Sequence, residues 1–584
     1  MIRKIFRQML VTQILSAMTV MICMLIDSIM IGRFLGVDPM TAYGLATPVL
    51  LVFAAFGSML SAGIQVLCGK TVGSGDREGT DACYSVSVVL ALCVSVLGMI
   101  LVLAFTGPIC TLLGAGRPAP DNPVYFLTLD YLRGFIVGAP AFICAQVMVP
   151  YMQLSGKQSR LAAAVVAMTL ADAAFDVLNV FVFHGGTLGM GLASSLSYYI
   201  AFAVGCVVFF RKDSMFRLRM HTVTGKRARE LLGYGLPTVI NQISLVLLVF
   251  VLNKILLRVG QNRAVAAYSV ISTVGNICYS FSSGAASVAL MLSAIFYCDE
   301  DKSAIHALIR TMVFYAVLLD LIVTAAVLAL APPAVRLFLA DDPAARDLAI
   351  RGLRLFSLSL LPCALNTCFK NYFQGVDRTR FTEAISVMQN FAFPAAFAFL
   401  LSRLLGTDGA WLGWVCGESL TLLIIALAVW RRNGKLSFSA ETFALLPPGF
   451  GAAAEDILEM SVRSGKEAAE ASVRAQEFCL AHGDTPRNSM LISLCVEEMV
   501  NNIVAHGFRG RGQDHSVDIR ILYKDGRRLI RLRDNGVRFD PVRYMELHKG
   551  DDPAAHIGIR MVMKMVRDAN YIHSLGLNNL TLVL

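Results

Sequence analysis

The sequence predicts a multi-domain molecule: a polytopic all-α membrane domain of about twelve spanning helices in two six-helix lobes, followed by a small α+β domain. Three observations predict it. Apolar residues make up 56% of the 584 residues and charged residues only 16%, against roughly a quarter in soluble globular chains. The apolar excess fills the chain to about residue 432 and then stops. The apolar part also repeats itself weakly, one half echoing the other.

Each apolar span is long enough to cross a hydrocarbon core that needs ~20 residues. The first is read as 8–32 and the last as 408–430; 124–150 and 349–371 are each read as one span. Lobe 1 covers about 1–215 and lobe 2 about 225–432. The first span reads as a retained helix, because no small-residue cleavage site follows it. Basic residues set the orientation. Arg3, Lys4 and Arg7 precede span one. Arg211, Lys212, Arg217, Arg219, Lys226, Arg227 and Arg229 fill the loop between spans six and seven, and Arg431, Arg432 and Lys435 follow the last. An even number of spans puts all of these on one side. Both the N-terminus and the C-terminal domain are therefore expected on the cytoplasmic face of a bacterial inner membrane. The net charge of +10 thus belongs to loops, and no basic, aromatic-interleaved surface argues for nucleic acid. None of the 14 cysteines forms a Cys-x-x-Cys pair, so they read as reduced packing residues.

"APAFICAQVMVPYMQLSGKQSR" (139–160) echoes "LPCALNTCFKNYFQGVDRTR" (361–380), with Pro140/Pro362 and Gln153/Gln374 spaced alike within a residue. Two similar six-span halves are a mark of transporters, with binding sites between them. Acids at membrane depth are costly and read as functional by default. Asp27 lies in span one; Asp172 and Asp176 lie in span five. Asp172, Asp176 and Asn179 share a helical face, with Thr169 at its edge. Two carboxylates at i, i+4 repel when both are ionised, so the pair suits a transported proton or a sodium ion.

"LIDSIMIGRFLGVDPMTAYGLATPVL" (25–50) and "GKTVGSGDREGTDA" (69–82) resemble the first helix and the loop after the second in multidrug and toxic compound extrusion (MATE) transporters. The resemblance covers residues 1 to about 432. It implies export of small amphipathic organic compounds, driven by entry of H+ or Na+. It matches Asp27 to the family's first-helix acid and Asp176 to its fifth-helix acid, with Asp172 where Asn is common. The second-half counterparts are roughly Asn390 and Pro394, so the acidic site is expected in the N-lobe only.

Residues 433–455, with Pro447, Pro448 and several glycines, read as a linker. Residues 456–584 read as one soluble domain. "ILEMSV" is a strand, 465–482 and 487–506 are helices, and 516–534 is two strands around Lys-Asp-Gly. Residues 555–569 are read as helix, and "NLTLVL" closes as a strand. In "LCVEEMVNNIVAHGF" (494–508), ~100° per residue puts Glu498, Asn502 and His506 on or beside the apolar arc. Glu497 and Asn501 point to the opposite, wetter side. A Glu and an Asn on a packing face suit a cation with phosphates. "RDNGVRFDP" (533–541) adds Asp534 and Gly536, an acceptor beside a close backbone approach. With "HIGIRMV" (556–562) these motifs resemble GHKL ATPases, nearest the anti-sigma-factor serine kinases. The resemblance implies Glu498 as catalytic base, Asn502 as Mg2+ ligand, Asp534 and Gly536 at adenine, and Gly558 in the lid over the phosphates of ATP. His556 stands where that family often has the lid's first glycine.

The preferred reading is a cation-coupled exporter with an ATP-binding regulatory domain. A membrane receptor that phosphorylates an anti-sigma-antagonist-like partner is the alternative, and a lipid or polysaccharide flippase a third.

Overall fold

A computed structural model describes residues 2–209, 215–338, 343–434, 439–508, 515–524, 526–548 and 557–584. Arg211, Lys212, Lys435, Asp525 and His556, used above, lie outside them. Among the described residues, ten helices are long and apolar enough to cross a membrane, or twelve if each of two bent pairs is one span. Those pairs fall on the spans expected over 124–150 and 349–371, each of which is bent in the middle. Pro123–Ile136 meets Ala139–Leu154 at 46°, and Pro343–Ser357 meets Leu360–Gly375 at 47°. The cause is legible in the repeat itself. Pro140 and Pro362 sit in the first turn after each bend. Neither can donate the N–H that would bond back to the helix before it, so the ladder is cut there.

The repeated glutamines do parallel work. Gln153 accepts from Gln13 Nε2 at 2.9 Å, tying its helix to the first helix of lobe one. Gln374 donates to the Tyr234 carbonyl at 2.7 Å, tying its helix to the first of lobe two. The lobes close on each other through helices Val37–Gly73 and Arg263–Cys298. A Cβ on Gly73 would come within 2.2 Å of the Ile295 carbonyl, so backbone meets backbone there.

The C-terminal domain is a five-stranded antiparallel sheet of β1 (Ile457–Val462), β2 (Val517–Lys524), β3 (Arg527–Asp534), β4 (Asp568–Ser574) and β5 (Leu577–Val583), in the order β1-β2-β3-β5-β4. β4 corrects the expected helix over 555–569: the helix is Ile557–Met565 and the chain turns into strand at Asp568. Alternate strand residues such as Val517, Ile519, Ile530, Leu532 and Leu580 pack under helices Gly465–Ala481 and Pro486–Asn502. The first of these helices starts in a capping box. Ser464 Oγ accepts from Glu467 N at 3.3 Å, while the Glu467 carboxylate reaches back to Arg463 N at 2.8 Å.

The other face of the sheet lies on the end of the helical part. Arg520 pairs with Asp301 at 2.9 Å, Arg531 with Asp299 at 2.9 Å, and Arg533 with Asp299 at 3.2 Å. Lys524 pairs with Glu300. These acids form the short turn after Cys298 of lobe two. Lobe one is touched as well. Leu575 N donates to the Leu154 carbonyl at 2.6 Å, Asn570 Nδ2 donates to the Gly75 carbonyl, and Arg77 pairs with Asp540 at 3.3 Å. Ile572 and Leu577 join the apolar core of the helical part.

Candidate functional site

Two sites come together, one inside lobe one and one in the C-terminal domain. Asp27, on helix Ile2–Met30, faces Asp172 and Asp176 on helix Gln158–Leu178. One oxygen of each lies within 4.8 Å of the others, and all three are buried. Ser194 donates to Asp27 at 3.4 Å and Ser197 to Asp172 at 2.9 Å. Both Asp176 oxygens lack a hydrogen-bond partner. Three carboxyls so close and so dry cannot all stand ionised without a proton or a cation among them. The donor set is hard oxygen, which suits either H+ or Na+.

The other two residues read from this helix serve local structure. Asn179 accepts from Gly185 N at 3.1 Å and donates to the Gly186 carbonyl at 3.0 Å, holding the turn that ends the helix. Thr169 donates to the Val165 carbonyl of its own helix at 3.0 Å. Acids at membrane depth are also not confined to lobe one. In lobe two, Asp320 and Glu418 are buried. Asp320 accepts from Ser282 at 2.9 Å and Glu418 from Asn366 at 2.8 Å. Lys370 is buried nearby and donates to Asn241. The expectation followed only the repeat-equivalent positions; charges inside "CFKNYF" and "VCGESL" were the available signal.

In the C-terminal domain, Thr485 caps helix Pro486–Asn502 by accepting from Asn488 N at 3.3 Å, with Pro486 in its first turn. Ile492, Cys495, Val496 and Met499 bury its inner face. Glu498, Asn502 and His506 line one cavity of about 400 Å³ with Asp534, Gly558, Tyr571 and Asn578. Glu497 does not face water as expected. It is half-buried and accepts from Ser472 at 3.3 Å, because helix Gly465–Ala481 covers that side.

The strand motif is held against the helix end by backbone. Val537 N donates to the Gly507 carbonyl at 2.9 Å, and a Cβ on Gly536 would meet that carbonyl oxygen at 2.9 Å. Asp534 accepts from Gly536 N at 2.9 Å and from Asn578 Nδ2 at 2.8 Å. Burial pushes its carboxyl up from the ordinary aspartate value, and these two donors oppose the shift. Asn578 was not foreseen; it lies in a strand with no motif around it. Gly558 starts the lid helix Ile557–Met565 directly on Glu498, where a Cβ would meet Oε2 at 2.2 Å. The cavity thus joins a carboxylate, an amide, an imidazole and a helix start around one space, a donor set that fits a nucleotide with a divalent cation.

The MatE family model matches residues 13–178 and 237–400. A model described as a histidine kinase-like ATPase domain matches residues 465–584. Multidrug export protein MepA of Staphylococcus aureus (strain NCTC 8325 / PS 47) is 20% identical over 400 residues, 68% of this chain and 86% of that protein. Serine/threonine-protein kinase BtrW of Bordetella bronchiseptica is 30% identical over 134 residues, 22% of this chain and 91% of that protein. Among solved structures, a MATE protein in complex with MaL6 superposes with a TM-score of 0.68 at 19% identity, covering 72% of this chain and 94% of that one. A variant of the Vibrio cholerae MATE transporter VcmN gives 0.66 at 17% identity, covering 73% and 96%. The chain therefore belongs to the MatE family and carries a histidine kinase-like ATPase domain after its helical part.

Proposed function

We propose that this protein is a cation-coupled exporter of small organic compounds whose cytoplasmic ATP-binding domain regulates it. The buried triad Asp27–Asp172–Asp176 carries the reading. A driving cation bound there neutralises charges that the fold otherwise holds in repulsion, so the loaded and empty states differ in the packing of helices one and five. H+ and Na+ both satisfy this chemistry. Export of amphipathic compounds is suggested by the likeness to MepA.

ATP acts as a regulator. Its site and the docked face are adjacent on one strand: Asp534 turns to the cavity, while Arg533 turns to Asp299 of lobe two. Their partners in β5 are adjacent too, Asn578 on Asp534 and Asn579 on Arg533. Glu498 would serve as base, Asn502 as Mg2+ ligand, and Asp534 as acceptor for adenine. Phosphorylation of a protein partner is the second reading, favoured by the likeness to BtrW and by Glu498 on the cavity wall.

Transport by purified protein in proteoliposomes tests both. Efflux should require a pH or sodium gradient, stop in Asp176→Asn, and change in rate with Mg-ATP. Efflux that follows ATP hydrolysis without a gradient would refute the reading. If Glu498→Ala ends phosphorylation of a partner yet leaves the ATP response of efflux intact, the kinase reading takes its place.

A further inference from the structure

A second cavity, of about 280 Å³, lies between the lobes. Helices of both lobes build it: Ser58, Gln65 and Gln146 come from one, Asn241 and Lys370 from the other. All lining residues except Ala62, Pro237 and Leu290 carry a hydroxyl, an amide or an ammonium, and none is aromatic. Sites for drug-like amphiphiles are lined chiefly by apolar and aromatic side chains. This wall offers the reverse.

Lys370 is the one charged residue on it. The residue is 6% exposed. Its ammonium donates to Asn241 Oδ1 at 2.6 Å and Gln389 Oε1 at 3.2 Å. Both acceptors are neutral, and among the described residues no carboxylate pairs with it. Glu418 stands behind the wall and does not line the cavity. Gln389 separates the two charges, donating to Glu418 at 3.5 Å while accepting from Lys370. A buried cation held only by neutral oxygens is costly until a counter-charge arrives. A cationic amphiphile would meet a like charge and little apolar contact. An anion would give the ammonium a direct charged partner, which Glu418, acting only through space behind Gln389, does not, and the hydroxyls and amides would hold its oxygens.

Two-lobed transporters hold their substrates between the lobes; we infer that here the substrate is a small, hydroxyl-rich organic anion, with Lys370 as its direct charged partner. The inference rests on the exporter reading and narrows its substrate. The volume holds roughly nine waters, which fits a solute the size of one sugar ring.

The test uses the full chain in proteoliposomes under an imposed cation gradient. The probes share one scaffold and differ in charge (glucuronate, glucose and glucosamine), with ethidium as an amphipathic cation. Glucuronate should move at least about tenfold faster than glucosamine. Lys370→Gln should remove that preference without lowering thermal stability, and Lys370→Arg should keep part of it. Gradient-driven movement of glucosamine or ethidium, lost in Asp176→Asn but unchanged in Lys370→Gln, overturns the inference and leaves the exporter reading standing. Movement of no probe under any gradient overturns both.

Discussion

Asp176 is the most exposed to test of the single residues, because neither of its oxygens has a hydrogen-bond partner. Replacing it with Asn removes one of three crowded charges. Asp176→Asn should cut gradient-driven efflux by at least about tenfold. It should also raise the melting temperature of the detergent-solubilised protein, since repulsion is relieved. A fall in both would mean that the triad is a structural cluster. Asp534 gives a pH test. Its folded carboxyl is raised by burial, so the folded chain holds this proton at a pH where the unfolded chain has released it. The group's contribution to stability is therefore present at low pH and lost as pH rises through the raised value. Nucleotide binding runs the other way, because adenine needs an acceptor. Affinity for a fluorescent ATP analogue should fall on acidification above the ordinary aspartate range of about 3.9. Gly558→Ala places a Cβ against the end of the Glu498 side chain; the carboxylate must turn away, so ATP turnover should fall by about tenfold while nucleotide affinity changes less.

At the scale of elements, the docked face is held by a short turn. Asp299 meets both Arg531 and Arg533, and it is largely buried. Removing one partner of a buried pair leaves the others uncompensated, at a cost of ~2–5 kcal/mol. Asp299→Asn should raise hydrogen exchange along β3 and abolish the ATP response of transport, with basal transport retained. Much of this level was legible in the sequence. Helical phase alone separated Glu498–Asn502 from Glu497–Asn501, and the Asp-Asn-Gly strand end was placed beside them. β4 was not legible, because "RDANYIHS" (567–574) continues an amphipathic run and only pairing with β5 makes it a strand. The bends at Pro140 and Pro362 were visible as residues but not as geometry, since a proline near a helix start permits a bend without requiring one. Asn179 and Thr169 sit on the predicted face, yet local backbone groups claim their side chains, which no face pattern reveals.

At the scale of the molecule, one sheet touches the ends of both lobes. Any motion that parts Gly73 from Ile295 must slide lobe ends under that sheet or lift it. Ser303 of lobe two donates to Glu459 of β1 at 3.1 Å, so cysteines at these positions lie within reach of a short bis-methanethiosulfonate cross-linker. In a background without reactive native thiols, cross-linking Ser303→Cys to Glu459→Cys should arrest transport, and reduction should restore it. Unchanged turnover in the bridged protein would show that the sheet rides along passively. The whole-molecule arrangement had no signal in the sequence, where residues 433–455 read only as a spacer. The matching charges lie more than two hundred residues apart, with Asp299 paired to Arg531 and Arg533.

That pairing bears on how such a chain is inherited. A nucleotide-binding domain fused by a tether alone could be exchanged for any relative of similar size. Here Arg520, Arg531 and Arg533 find their counter-charges in a turn encoded far upstream. A transplanted domain would arrive without that turn, and a lost domain would leave three acids bare at the membrane surface. A working exchange would have to carry residues 299–301 with the domain and also match its lobe-one contacts at Leu154, Gly75 and Arg77.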